Sequence, residues 1–249
     1  MIYDLADARP PGACLGIDLA GLPHRETGIA LLRHGRLELL SRAGGDDEIL
    51  AFVAMAGPQP TLAINAPLTR PSGRCCLHDD CPCRHDPGTR SRQLERDLLH
   101  LRIPILATAL IKVLARRGFV LAATLSQLGY HPLEVYPFAT LRLLDLPAQG
   151  KRTALGRRRI HAALQPLIPG LDHPDASEHG LDAVVCALTA QLWQQGRTIA
   201  VGDPLEGQMI IPDPSTSPYA APRTAELTPA APAPPLRRVA ESPEIYTAD

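Results

Sequence analysis

Short apolar runs separated by turn residues fill residues 12–40, and this pattern predicts three strands. The runs cover 14–19, 27–32 and 36–40, with His34-Gly35 as the turn between the second and the third. Because the connections are short, we expect an antiparallel meander.

Helices and strands alternate after this meander. Apolar positions at helical spacing predict helices that cover 46–56, 112–128, 139–144, 151–164 and 178–195, with a further helix that begins after Ser91. Two short apolar runs, 61–66 and 133–136, are bounded by prolines and predict buried strands. The order of meander, helix, strand, helices, strand and helices predicts an α/β fold.

One polar side chain interrupts each of four apolar segments of this predicted core. These side chains are Asp18 in LGIDLAG, Asn65 in LAINAPL, Glu134 in PLEVYP and Asp182 in LDAVVCAL. A buried carboxylate costs several kcal/mol, roughly, unless a partner compensates it. We therefore expect the four segments to converge on one site, and a cation is the simplest common partner.

The six cysteines divide into two groups. Cys14 and Cys186 lie in apolar segments and are predicted to be small core residues. Four cysteines, with His78 and His85 among them, form the pattern CC-x4-C-x-C at residues 75–83, where thiols and imidazoles favour zinc or another thiophilic metal. Because adjacent cysteines do not easily face one metal, the predicted ligands are Cys76, Cys81, Cys83 and either His78 or His85; reduced thiols in a polar loop are the alternative.

Composition sets limits on the partners. The net charge of −1 gives no overall attraction to nucleic acid, but arginines crowd residues 70–96 and basic residues crowd 151–159. These clusters are either phosphate contacts or a solvated surface. Charged residues interrupt every apolar run, and no basic-then-apolar leader is present, so we expect a cytoplasmic protein without a membrane span.

The chain is predicted to contain one main domain. An N-terminal extension covers 1–12, the domain covers 13–212 with an Arg- and Cys-rich insertion at 69–89, and a Pro- and Ala-rich tail covers 213–249. The tail has too little apolar content to bury, so we expect it to be disordered.

The ordered set GIDLAG, TGIALL, INAPL, EVYP, LDAVVCALTA and GDPLEGQMIIP resembles the DUF429 family over about residues 13–212. That family is described as predicted nucleases of ribonuclease H-like fold. The resemblance implies a mixed five-stranded sheet, an antiparallel meander plus parallel strands, flanked by helices.

The resemblance also implies roles by position. Asp18, Glu134 and Asp182 would be catalytic carboxylates that bind Mg²⁺ or Mn²⁺, with Glu178 assisting from the preceding turn. Asn65 stands where the family pattern usually has Asp; it is a further expected metal ligand, because an amide oxygen can still coordinate a hard cation, although it brings no negative charge. The implied reaction is phosphodiester hydrolysis with one or two cations. The expected nucleic-acid contacts are Arg70, Arg74, Arg90 and Lys112.

Two alternatives remain open from the sequence. A degenerate ribonuclease H-like core with a metal-bound Cys loop would be a nucleic-acid- or protein-binding module, which Asn65 favours. An actin-like ATP-binding protein is disfavoured, because residues 22–26 read LPHRE where a glycine-rich phosphate loop is needed.

Overall fold

The computed structural model describes residues 12–85 and 91–216. Within these residues seven strands form one mixed sheet in the order β3-β2-β1-β4-β5-β7-β6. The strands are β1 (Cys14–Asp18), β2 (Thr27–Arg33), β3 (Arg36–Ala43), β4 (Thr61–Ile64), β5 (Leu133–Val135), β6 (Thr198–Val201) and β7 (Met209–Pro212). The helices are α1 (Asp46–Met55), α2 (Gln93–His100), α3 (Lys112–Gln127), α4 (Pro137–Leu143), α5 (Ala154–Leu164) and α6 (Glu178–Gln194).

The sheet contains the predicted meander and parallel strands. β1, β2 and β3 pair antiparallel, while β1, β4, β5 and β7 are successively parallel, and β6 returns antiparallel to β7. The carboxyl ends of β1 and β4 therefore meet at one edge, where ligands of open α/β sheets commonly bind.

The predicted count of five strands is wrong, because β6 and β7 extend the sheet beyond β5. Each has four residues, and β6 is half exposed along its length. Such short strands carry too few positions to show an apolar pattern. The resemblance marked residues 202–212 as a motif without revealing their strand.

Helices cover both faces of the sheet. Residues of α4, α5 and α6 pack with one face, and residues of α1 and α3 pack with the other. α6 approaches the sheet most closely, because a Cβ placed on Gly16 would lie 2.0 Å from the carbonyl oxygen of Ala183. Main chain of α6 thus rests directly on β1, which fixes the height of the helix above the strand.

The predicted domain limits fall partly outside the described residues. Residues 1–11 and 217–249 lie outside them, as do residues 86–90 of the insertion. Within the insertion, Pro82–His85 form a 3-10 turn, and further 3-10 turns cover Thr108–Leu110 and, after β7, Pro214–Thr216.

Candidate functional site

Asp18 and Asn65 lie side by side at the carboxyl ends of β1 and β4. The backbone N–H of Asn65 donates to the carbonyl of Ile17 at 2.9 Å, which continues the parallel ladder beyond β4. The side-chain amide of Asn65 donates to Asp18 Oδ1 at 2.6 Å. Asn65 therefore orients the buried Asp18 carboxylate by hydrogen bonding.

The first turns of α6 bring two more polar side chains to Asp18. Ser177 caps the helix, because its hydroxyl accepts from the backbone N–H of Gly180 at 3.0 Å. His179 Nδ1 lies 2.6 Å from Asp18 Oδ2. Asp182, one turn later on the same helix face, is 5% exposed and forms an ion pair with Lys151 from the loop before α5.

Burial and mutual charge set the electrostatics of this group. Burial and the nearby charge of Asp18 raise the pKa of Asp182 to about 6, although Lys151 and His179 oppose the rise. The hydrogen bond to Asp18 raises the pKa of His179. The pKa of Lys151 is also raised: burial opposes the rise, but Asp182, Asp18 and Glu178 together outweigh it. The site thus places two carboxylates, each beside a basic partner, where water reaches them poorly.

Glu178 contributes to this field from the start of α6. It is half-buried, and its charge helps to raise the pKa of both Lys151 and His179. Its effect on the site is therefore electrostatic.

The structure does not bring Glu134 to Asp18 and Asp182. Ile64 is in register with both Ile17 and Glu134, so these three side chains share the α1 and α3 face of the sheet. Asp18 follows Ile17 and faces the opposite side. Glu134 consequently lies across the sheet from the other carboxylates.

Glu134 instead forms a buried ion pair with Arg92. Arg92, at the start of α2, donates to both carboxylate oxygens at 2.6 and 2.7 Å, and the backbone N–H of Leu68 adds a bond at 2.8 Å. Burial raises the pKa of Glu134, while Arg92 and Leu68 oppose the rise. Arg92 also contacts Glu95 at 3.2 Å. These contacts give Glu134 a partner that the sequence left unidentified.

Sequence reasoning did not identify Lys151, His179 and Arg92 as partners of the acidic residues. His179 precedes Asp182 by three positions, a spacing that places both on one helix face and was visible in the sequence. Lys151 is one of only two lysines, but it lay inside a basic run that suggested a solvated surface. For Arg92 no such signal existed, because its partner Glu134 is distant in the chain.

Four thiols meet in the insertion. The Sγ atoms of Cys75, Cys76, Cys81 and Cys83 all lie within 4.8 Å of one another, so this cluster can hold a metal ion. Cys75, which the predicted ligand set left out, belongs to this cluster, because the adjacent Cys75 and Cys76 both face it. A hydrogen bond from Cys81 lowers the pKa of Cys83 to about 6.

The two histidines of the insertion have other neighbours. His78 Nδ1 lies 3.4 Å from Arg116, and His85 Nε2 accepts from Arg84 at 3.0 Å. The group that could hold a metal ion consists of the four thiols without either histidine.

The basic residues predicted to contact nucleic acid have partners inside the protein. Arg70 donates to the carbonyl of Cys75 at 2.7 Å, Arg74 donates to that of Cys76 at 2.9 Å, and Lys112 pairs with Asp79. Arg90 lies outside the described residues. Contact with nucleic acid by these side chains stays a prediction.

No helix in the described ranges has both the length and the apolar character needed to cross a membrane.

Comparison with known proteins identifies one family. The model of DUF429, described as a protein of unknown function, matches residues 79–206, which is just over half of the chain. This range includes Glu134, Lys151, His179 and Asp182. No curated protein and no solved structure matched the chain. The chain belongs to the DUF429 family.

Proposed function

We propose that the protein is a metal-dependent nuclease whose Asp18 and Asp182 bind one Mg²⁺ or Mn²⁺ ion. The observation that carries this proposal is the pair of buried carboxylates, 4% and 5% exposed, that β1 and α6 bring within one another's electrostatic influence. Perturbed carboxylates of this kind cluster at functional sites.

The topology supports a ribonuclease H-like core. The five strands that the resemblance implied, a meander followed by parallel strands, form the continuous series β3-β2-β1-β4-β5. The additional β7 and β6 extend this series at the β5 edge without interrupting it.

The donor set fits one hard cation. Carboxylate oxygens are the ligands that Mg²⁺ and Mn²⁺ prefer. Glu134 lies on the opposite face of the sheet, where it pairs with Arg92. Asn65 directs its side-chain N–H to Asp18. The two remaining carboxylates, with water completing the coordination shell, suit one metal ion better than two.

Lys151 and His179 are suited to act on a phosphate at this site. A bound cation would supply the Lewis acid that polarises the phosphoryl group. The Lys151 side chain is 39% exposed and can exchange Asp182 for an incoming phosphate oxygen. His179, whose pKa is raised beside Asp18, can hold a proton for the leaving oxygen near neutral pH.

One observation favours the binding-module alternative. Lys151 and His179 already pair with the two carboxylates, and Asn65 adds a neutral donor rather than a third carboxylate. These contacts neutralise the two carboxylates without a cation. A nucleic-acid- or protein-binding role would then remain.

Cleavage of labelled single-stranded and duplex DNA and RNA with Mg²⁺ or Mn²⁺ tests the proposal. Asp18→Asn and Asp182→Asn should each reduce cutting by at least about 100-fold, the scale on which one electrostatic group acts in catalysis. Asp175→Asn is the matched control, because Asp175 is an exposed carboxylate with only a surface partner at 3.4 Å. It should keep the full rate.

Thermal unfolding with added Mn²⁺ separates a metal site from contaminating nuclease. The ion should raise the melting temperature of the wild type and of Asp175→Asn, but not of Asp18→Asn or Asp182→Asn. An absence of cutting on every substrate, or cutting that both variants retain, would refute the nuclease and support the binding module.

A further inference from the structure

The spacing of the thiols in the insertion suits a metal and not a disulfide. Cys81 Sγ lies 3.1 Å from Cys83 Sγ and 3.3 Å from Cys75 Sγ, and Cys75 and Cys83 are 3.5 Å apart. A disulfide bond is about 2.05 Å long. Tetrahedral zinc, with Zn–S bonds of about 2.3 Å, separates its sulfurs by about 3.8 Å. A small outward movement of the observed thiols reaches that geometry.

Two turns bring the four cysteines together. Before Cys75, the backbone N–H of Arg74 donates to Pro71 at 3.0 Å, and Gly73 adopts a φ of 78°, which a residue with a side chain rarely accepts. The 3-10 turn Pro82–His85 then directs Cys81 and Cys83 back toward the first pair. The main chain is therefore arranged around the cluster from both sides.

Arginines hold the main chain around the cluster. Arg70 and Arg74 bind the carbonyls of Cys75 and Cys76, Arg84 binds the carbonyl of Asp79, and Arg116 of α3 binds that of Leu77 at 2.9 Å. Four thiolates around a divalent cation carry a net charge of about −2. The arginines around the cluster would offset that charge.

Hydrophobic burial alone gives this segment little stability. Between Ser72 and His85 the buried side chains are those of Leu77 and Arg74, and the remainder are half-buried or exposed. Segments with so little core commonly depend on a metal or a covalent link. The four cysteines lie within this segment, so a metal bound to them would stabilise it.

We propose that Cys75, Cys76, Cys81 and Cys83 bind one Zn²⁺ ion as a closed structural site that fixes residues 71–85. Binding converts the thiols that are still protonated into thiolates and releases their protons, with no change in oxidation state. Because all four ligands come from the protein, no position is open for substrate. The site is independent of the proposed nuclease centre.

Metal analysis of the full chain, purified under reducing conditions, is the first test. We expect one zinc per chain, lost in Cys75→Ser, Cys76→Ser and Cys81→Ser and retained in His78→Ala and Cys186→Ala. Cys186 is a buried thiol of α6, so Cys186→Ala controls for the removal of a cysteine as such. Retention of zinc in Cys75→Ser together with its loss in His78→Ala would overturn the four-cysteine site.

Two further measurements guard against variants that fail to fold. Co²⁺ added to the metal-free wild type should give the visible absorption of tetrahedral cobalt–thiolate, and zinc should abolish it. Zinc should also slow proteolytic cleavage within residues 71–85. Iron in place of zinc, no metal at all, or fewer than six titratable thiols after denaturation without reductant would each overturn the proposal.

Discussion

Replacement of Asp182 by Asn removes a buried charge while it keeps the shape of the side chain. The pKa of Asp182 rises from an ordinary 3.8 to about 6 in the folded protein. Ionisation of this residue therefore costs about 3 kcal/mol more in the folded chain than in the unfolded chain, because one pKa unit corresponds to about 1.36 kcal/mol.

The sign follows from the raised pKa. Below the unfolded value both states are protonated, and the wild type bears no penalty. As the pH rises from about 4 to about 6, the unfolded chain ionises first and the wild type loses stability. Asp182→Asn does not ionise, so its stability relative to the wild type should increase over this interval by up to about 3 kcal/mol.

The pKa of about 6 already includes the opposing effect of Lys151, so the loss of this partner takes nothing further from the gain. The Lys151 side chain is 39% exposed and can be solvated when Asp182 is neutral. Urea unfolding near pH 4 and near pH 8, with chelator present, measures the free energy of unfolding of both proteins. Asp175→Asn, at an exposed position, serves as the control and should show no such pH trend.

The reasoning would be refuted if the free energies of unfolding of Asp182→Asn and wild type differed by the same amount at both pH values. Lower stability of the variant near pH 8 would also refute it, since Asp182 would then be a net stabilising ion-pair partner rather than a strained carboxylate.

The remaining predictions concern the packing around the site. Arg92→Met should destabilise the protein by about 3–5 kcal/mol, because it leaves Glu134 buried and unpaired. Adding Glu134→Gln should recover part of this loss. Strictly additive effects of the two substitutions on the free energy of unfolding in urea would contradict a coupled pair. Gly16→Ala should lower the free energy of unfolding by about 1–3 kcal/mol or more, because the added methyl group forces the main chain of α6 away from β1. Gly44→Ala is the control and should change the melting temperature little, because its added Cβ has no neighbour nearer than 3.7 Å. Equal melting temperatures of the two variants would exclude the close contact at Gly16.

Local pattern predicted much of the fold and part of the candidate site. The meander, the two proline-bounded strands and α6 were recognisable from apolar spacing, as were Asp18 and Asp182 as polar intrusions into it. The pairing of strands that are distant in the sequence was not recognisable in this way. The register that places Glu134 across the sheet from Asp18 depends on which strands become neighbours, and the sequence alone carries no measure of that. The turn at Gly73 likewise allows both Cys75 and Cys76 to face one cluster, against the expectation from their adjacency.

Contact between main chain and main chain at Gly16 has a consequence for how the site can vary. Peptide groups of β1 and α6 are in direct contact at Gly16, and this contact sets the distance between the two elements that carry Asp18 and Asp182. Core substitutions elsewhere should therefore lower stability well before they alter the carboxylate pair. Changes in chemistry within this scaffold would have to come from the side chains bordering the pair, such as Asn65, Lys151 and His179, while the distance between its two carboxylate-bearing elements stays constant.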